Sequence, residues 1–220
     1  PLPFLSGMVD DCIARGKTVE EGGAVYNFTG PQGFGVANMA DGLYAVKTLV
    51  YDERRLTLAQ FRDALDHNYG RTPRSPQQIA AMTAQVAAAM QAQGKPVTEA
   101  TVAQIAAVLS RSDATPAQQA FYTQLLGWID ALPKYGNDDR TVDLFARDVA
   151  YTYTRPLEQY RNPRGGQFQA GLYPVSANVP LGAQTGATPD GRYAFTPVAD
   201  GVSPAAGRDT HGPTAAANSV

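Results

Sequence analysis

This 220-residue chain contains cysteine, histidine, aspartate and serine side chains of the types that act in catalysis or bind metals. Their spacing in the sequence does not match the motifs of known catalytic or metal sites. Cys12, the single cysteine, could serve as a reactive thiol, but it lies in an amphipathic stretch that favours a buried structural thiol. The two histidines, His67 and His211, lie far apart with no paired cysteine, which argues against a zinc site. Asp138 and Asp139 could act as an acid and a base, yet their position before a periodic helix favours capping.

The turn-rich segments give equally structural interpretations. The glycines of residues 30–35 match neither a dinucleotide loop nor a Walker loop, and no lysine follows, so a tight turn is favoured over a phosphate site. Ser176 has no histidine in a suitable context for a nucleophile. Residues 190–192 are expected to form a turn. The charged residues of the late loops are expected to hold those loops together rather than to bind substrate: Arg164, Arg192, Arg208, Asp200 and Asp209.

Composition excludes several classes of partner. Apolar residues make up 44% of the chain, charged residues 17%, and the net charge is -2, so no basic surface is available for nucleic acid or an anionic membrane. No run approaches the ~20 apolar residues that span a bilayer, and the given sequence has no basic-then-apolar start resembling a signal peptide. We therefore expect a cytoplasmic protein. Because the chain begins at Pro1 rather than at methionine, we also expect a piece of a longer polypeptide.

Most elements that would position these residues are predicted to be helices. Apolar residues from Phe4 to Ile13 recur at helical spacing and predict an amphipathic helix packed on a core, ending near Gly16. A short β-like run is expected at residues 24–29 and a helix at about 39–50. Hydroxyl residues followed by glutamine predict capped helix starts at Thr57, Ser75 and Thr115, and acidic residues predict a further helix over about 139–160.

Residues 77–110 form an alanine- and glutamine-rich tract, and we interpret residues 75–115 as a helical insert. Two helices are expected there, broken at residues 94–96, with Ile79, Met82, Val86 and Met90 as the inner stripe of the first. Beyond Asn162 the composition changes to glycine, proline and turn signals. The best strand candidate in that part covers residues 172–179.

Four blocks of unusual composition follow one another in a particular order. They are EGGAVYNFTGPQG at residues 21–33, PKYGNDD at 133–139, NPRGG at 162–166 and GLYPVSANVPLG at 171–182. Together they resemble the later barrel segment of the pyruvate formate-lyase superfamily of glycyl radical enzymes. Within it they are most similar to the branch of 1,2-propanediol and glycerol dehydratases and choline trimethylamine-lyase. The resemblance covers nearly the whole chain except the alanine-rich insert.

The resemblance implies an α/β fold in which residues 1–220 are the later part of a ten-stranded α/β barrel. The motif of the thiyl cysteine, Gly-Cys-x-Glu, and that of the radical glycine, Arg-Val-x-Gly-Tyr, do not occur in the sequence. No catalytic residue is therefore expected in this chain, and the segment alone should be inactive. The predicted strand would form a wall of the substrate pocket, and the residues expected to line it are Tyr173, Pro174, Val175 and Ala177.

The resemblance also implies the reaction and its requirements. We expect dehydration of 1,2-propanediol or glycerol to an aldehyde without cobalamin, started by hydrogen abstraction by a thiyl radical. No cofactor or metal is expected to bind this chain directly, because an activating enzyme that uses S-adenosylmethionine and an iron-sulfur cluster installs the radical. The full protein is expected to be a homodimer, in the cytoplasm or inside a bacterial microcompartment. Cleavage of choline by the same machinery and a non-catalytic docking scaffold remain open as alternatives.

Overall fold

The computed structural model describes residues 2–220, and the regular structure within that range is helical. No helix there combines the length and the apolar character that crossing a bilayer requires. The π-helix Lys47–Asp52 directly continues α3, and a 3-10 turn, Asn68–Gly70, follows α4. The α-helices in chain order are α1 Pro3–Met8, α2 Cys12–Arg15, α3 Val36–Val46, α4 Leu58–Asp66, α5 Pro76–Ala92, α6 Glu99–Leu109, α7 Pro116–Asp130, α8 Arg140–Leu157, α9 Asn178–Gly182 and α10 Pro213–Ser219.

The predicted helix starts are confirmed by their caps. Thr57, Ser75 and Thr115 each accept a hydrogen bond from the amide three residues on, and the glutamine at that position reaches back to the cap amide. This reciprocal arrangement satisfies two donors that a helix start leaves free, and one such cap contributes about 1 kcal/mol. Asp139 caps α8 by accepting from the amide of Thr141 at 2.9 Å. The break between α5 and α6 also falls where the sequence predicts it.

Two buried apolar clusters share helix α3. The first lies between the π-helix, α4 and α7, and its largest fully buried side chains are Leu49, Phe61, Tyr69, Tyr122, Leu125 and Ile129. The second joins α3 to α8 and to the loop near residue 199, through Ala37, Ala40, Tyr135, Val142, Ala146, Ala199 and Ala205. The small side chains of the second cluster let α3 and α8 approach closely. Helix α3 is therefore the central element of this chain.

Several predicted apolar faces point away from both clusters. The predicted first helix is broken into α1 and α2 by Asp11, whose backbone is left-handed at φ 73°, and Phe4 is 84% exposed. The predicted helix at residues 39–50 starts earlier, at Val36, and ends as the π-helix. In α5 the buried residue is Thr83, whereas Met82 and Val86 are exposed, so the predicted stripe is wrong at those two positions. An alanine-rich helix offers little polarity contrast to define its inner face.

The predicted strand at residues 172–179 is wrong. Residues 172–175 have no regular secondary structure, a turn follows at residues 176–177, and α9 begins at Asn178. Proline explains the change, because Pro174 has no N–H for a strand ladder, while Pro180 fits the first helical turn, where the N–H needs no partner. The β-like run at residues 24–29 is also absent except for Thr29.

Across residues 2–220 the β structure is limited to three isolated bridges, two of them parallel, so the predicted α/β character appears here mainly as helices.

Candidate functional site

The segment that the sequence predicts as a pocket wall is held in place by a second extended segment. Residues 29–33 run parallel to residues 167–171, with bridges from Thr29 to Phe168 and from Gln32 to Gly171. The amide of Gly33 donates to the Gly171 carbonyl at 2.8 Å, and the amide of Gly171 donates to the Pro31 carbonyl at 2.8 Å. Because residues 172–177 directly follow the paired segment, this pairing fixes the position at which they begin.

Glycines make room for the predicted wall on three sides. A Cβ atom added at Gly33 would lie 2.7 Å from Leu172 Cδ2, and one at Gly171 would lie 2.8 Å from Tyr173 Cε1. At Gly201 the added atom would lie 2.6 Å from the carbonyl carbon of Tyr173, and its φ of 49° also favours glycine. Real Cβ atoms do not approach other atoms this closely. A side chain at Gly201 would therefore displace the main chain of the wall, whereas one at Gly33 or Gly171 would turn the side chain of Leu172 or Tyr173.

The four predicted lining residues lie together on the outside of the described chain. Tyr173 is 51% exposed and Pro174 is also exposed, whereas Val175 and Ala177 are half-buried. The Gln32 side-chain amide donates a hydrogen bond to the phenolic oxygen of Tyr173. Gln32 lies in the block of residues 21–33, but nothing in its local sequence predicts this contact with Tyr173.

An apolar cavity of about 310 Å³ opens beside this segment, between α3 and α9. None of the four predicted residues lines it. Its apolar lining consists of Phe34, Met39, Leu43, Leu181, Pro189 and Val198.

A buried polar cluster anchors the loops behind the wall. Asp190, only 5% exposed, accepts hydrogen bonds from Asn38 Nδ2 at 2.6 Å and from Thr188 Oγ1 at 2.5 Å. Asn38 Oδ1 also accepts from the amide of Ala199 at 2.6 Å. Arg192 donates to the carbonyl of Thr196 at 2.6 Å, and burial lowers the pKa of its guanidinium. The predicted turn at residues 190–192 is therefore present, and it is fixed to α3 by Asp190.

Asp41 is a second buried carboxylate, and it lies in α3 one turn after Asn38. Asp41 Oδ1 accepts from the amide of Tyr135 at 3.0 Å, while Oδ2 has no hydrogen-bond partner. Burial raises the pKa of Asp41 to about 7, against the opposing effects of the Tyr135 amide and the Lys134 charge. Burial likewise lowers the pKa of Lys134, whose ammonium donates to the carbonyls of Ile129 and Leu132 and so caps the end of α7. Within the described chain Asp41 is only 3% exposed, and its contact with the Tyr135 amide joins α3 to the loop after α7.

The cysteine and the two histidines, which could have been a nucleophile or metal ligands, lie in environments that indicate structural roles. Cys12 is buried and not in a disulfide, as expected for a structural thiol. His67 Nδ1 lies 2.8 Å from the carbonyl of Asp63. His211 is held by the loop at Asn137, with its amide donating to Asn137 Oδ1 at 3.0 Å. Within residues 2–220, no three histidine, cysteine, aspartate or glutamate side chains lie together as metal ligands would.

Arg208 and Arg164 form contacts that hold loops in place, as predicted. Arg208 pairs with Asp130 at 2.7 Å, and Arg164 donates to the carbonyl of Phe28 at 3.3 Å. Both contacts join segments that lie far apart in the sequence. They therefore fix the late loops against the helices and the early extended segment.

Comparison with known proteins identifies the family. The model of the pyruvate formate lyase-like family matches residues 1–182. A protein of Escherichia coli K12 described as a probable dehydratase is 38% identical over 98% of this chain and 22% of its own length.

Two solved structures match the whole chain and 22% of their own lengths. One concerns 1,2-propanediol dehydration in Roseburia inulinivorans, with 50% identity and a TM-score of 0.76. The other is the glycerol-bound B12-independent glycerol dehydratase of Clostridium butyricum, with 41% identity and a TM-score of 0.71. The chain thus spans about a fifth of the length of these relatives. On this evidence, the chain belongs to the pyruvate formate lyase-like family of glycyl radical enzymes.

Proposed function

We propose that residues 1–220 are the later part of a ten-stranded α/β barrel in a glycyl radical dehydratase, with residues 75–115 as a helical insert. The proposed reaction is the cobalamin-independent conversion of 1,2-propanediol, or of glycerol, to an aldehyde. The observation that carries the proposal is the 50% identity to the Roseburia inulinivorans structure over the whole chain. The parallel pairing of residues 29–33 with 167–171 supports it, because parallel neighbours are typical of an α/β barrel.

The exposed apolar surface also supports a larger assembly. Within the described chain, several large apolar side chains near its start are exposed to solvent. Among them are Phe4, Met8, Ile13, Tyr26 and Phe28. Large apolar side chains that remain exposed in this number often mark a surface that another part of the protein covers. We infer that the remainder of the polypeptide, about four fifths of the length of the relatives, covers these side chains in the full protein.

In this proposal the chain supplies a wall and no catalytic group. Tyr173, Pro174, Val175 and Ala177 line the substrate pocket, and apolar atoms at this wall exclude water and stray hydrogen donors. The glycyl radical, installed by an activating enzyme that uses S-adenosylmethionine and an iron-sulfur cluster, would generate the thiyl radical that abstracts hydrogen from the substrate. That enzyme and the small diol are the proposed partners. A homodimer and residence in a bacterial microcompartment remain predictions from the resemblance.

The test uses the full-length protein, activated anaerobically and offered 1,2-propanediol, glycerol and choline in separate reactions. We expect propionaldehyde from propanediol as the main product. Trimethylamine from choline without propionaldehyde would instead assign the protein to choline cleavage.

A matched pair of variants tests the wall. Val175→Phe inserts a ring at the proposed pocket and is expected to lower kcat/KM for propanediol at least tenfold. Val108→Phe, at an exposed valine of helix α6, is expected to leave it unchanged. Equal activity of both variants would remove Val175 from the wall.

A further inference from the structure

Gln32 and Tyr173 form a side-chain contact across 141 residues of sequence. Gln32 lies in the extended segment 29–33, and Tyr173 follows its paired segment 167–171 by two residues. Both side chains are exposed in the described chain. A hydrogen bond between exposed groups competes with water and adds little to stability. The contact therefore needs an explanation other than holding this chain folded.

The backbone prepares the contact from both sides. The parallel pairing fixes Gln32 beside Gly171, two residues before Tyr173. The ring of Tyr173 folds back over Gly171, where any Cβ would lie 2.8 Å from Cε1. On the other side, the Gly201 backbone approaches the carbonyl of Tyr173. Since the main chain is fixed on both sides, the remaining freedom is the direction of the ring and its hydroxyl.

We propose that Gln32 is a positioning residue, which orients the Tyr173 hydroxyl toward the substrate. The inference rests on the proposed function, because it assumes that Tyr173 lines the pocket. The Gln32 amide donates to the phenolic oxygen, so the phenolic hydrogen is not used in this contact and remains available to another acceptor. In the substrate pocket of the full-length protein, that acceptor is a hydroxyl oxygen of the diol. Gln32 acts through Tyr173 and does not touch the substrate.

The test is a double-mutant cycle in the activated full-length protein, with Gln32→Leu, Tyr173→Phe and the double variant. Each single variant is expected to raise KM for 1,2-propanediol about tenfold, a typical loss for one hydrogen bond to a substrate. The double variant is expected to match Tyr173→Phe alone, because Gln32 has no effect without the hydroxyl. Gln32→Glu, which cannot donate to the phenol, is expected to resemble Gln32→Leu.

Gln169→Leu is the matched control, since Gln169 is an exposed glutamine on the same pair of extended segments. It is expected to keep the wild-type KM. The glycyl radical content, measured by electron paramagnetic resonance, should be equal in all variants, which separates positioning from faulty activation. Additive effects in the cycle, or a wild-type KM in Gln32→Leu beside a raised KM in Tyr173→Phe, would overturn the proposal.

Crystal structures of the full-length wild type and of Gln32→Leu give a readout that does not depend on the reaction. The ring of Tyr173 should change direction in Gln32→Leu and keep it in Gln169→Leu. An unchanged ring in Gln32→Leu would refute the positioning role even if the enzyme dehydrates propanediol. Conversely, a displaced ring in an enzyme that acts on none of the diols would refute the proposed function and leave the positioning of Tyr173 by Gln32 in force.

Discussion

Replacing the buried carboxylate Asp41 by asparagine should make the protein less sensitive to pH. Asparagine has nearly the same shape and keeps an oxygen that can accept from the Tyr135 amide, which now donates to Asp41 Oδ1 at 3.0 Å. It removes the charge that burial disfavours. The partnerless Oδ2 is replaced by a neutral amide, so the variant tests the charge with little change of packing.

The size and sign of the effect follow from the pKa of Asp41, which burial raises from 3.8 to about 7. Between these values the folded protein holds a proton that the unfolded chain has lost. The free energy of unfolding therefore falls by about 1.4 kcal/mol per pH unit as the pH rises through this window, and it levels off above pH 7. The whole window amounts to about 4 kcal/mol, of which about 3 kcal/mol lies between pH 5 and pH 7.

The assay compares urea unfolding of full-length wild type and Asp41→Asn at pH 5 and pH 8. We expect the stability advantage of the variant over wild type to be larger at pH 8 by about 3 kcal/mol. Asp66→Asn, at an exposed aspartate of α4, serves as the control and should show no such change. A difference between wild type and Asp41→Asn that is the same at both pH values would refute the reasoning. It would mean that the charge of Lys134 outweighs burial and keeps Asp41 ionised.

Three further substitutions test the core, a cap and the wall. Ile129→Ala, at a fully buried position, should cost about 2–5 kcal/mol of unfolding free energy in urea titration. Thr115→Ala removes the cap of α7 and should cost about 1 kcal/mol in the same assay. Gly201→Ala should push the carbonyl of Tyr173 away and raise KM for propanediol, whereas Gly207→Ala, also at positive φ but in open space, should not. Equal kinetics of the two glycine variants would argue against the close approach at Gly201.

The sequence predicts best what depends on neighbours in the chain. The caps at Thr57, Ser75 and Thr115 need only a hydroxyl, a glutamine three residues on and a backbone amide. Because every participating atom lies within four residues, the pattern is sufficient to locate the helix start. The same reason explains why the boundary between α5 and α6 was predictable from a glycine and a proline.

The contacts that build the candidate site are of the opposite kind. Asn38 binds Asp190 across 152 residues of sequence, and Gln32 contacts Tyr173 across 141. Nothing in the local sequence of either partner indicates the other. Gln32 and Tyr173 both lie in blocks that carry the family resemblance. The resemblance therefore indicates that these segments matter, but only the three-dimensional structure shows that the two side chains meet.

The amphipathic start of the chain is exposed here for a different physical reason. An apolar stripe predicts that a face is buried, but it does not say by what. Neighbouring residues of α2 illustrate this, since Cys12 is 2% exposed and Ile13 is 77% exposed within the described chain. If the remainder of the barrel covers these side chains, as we propose, the stripe reports contacts with segments outside this chain. The exposure of Ile13 in the full-length protein then decides the matter, because a solvent-accessible Ile13 there would leave its apolar face without an explanation.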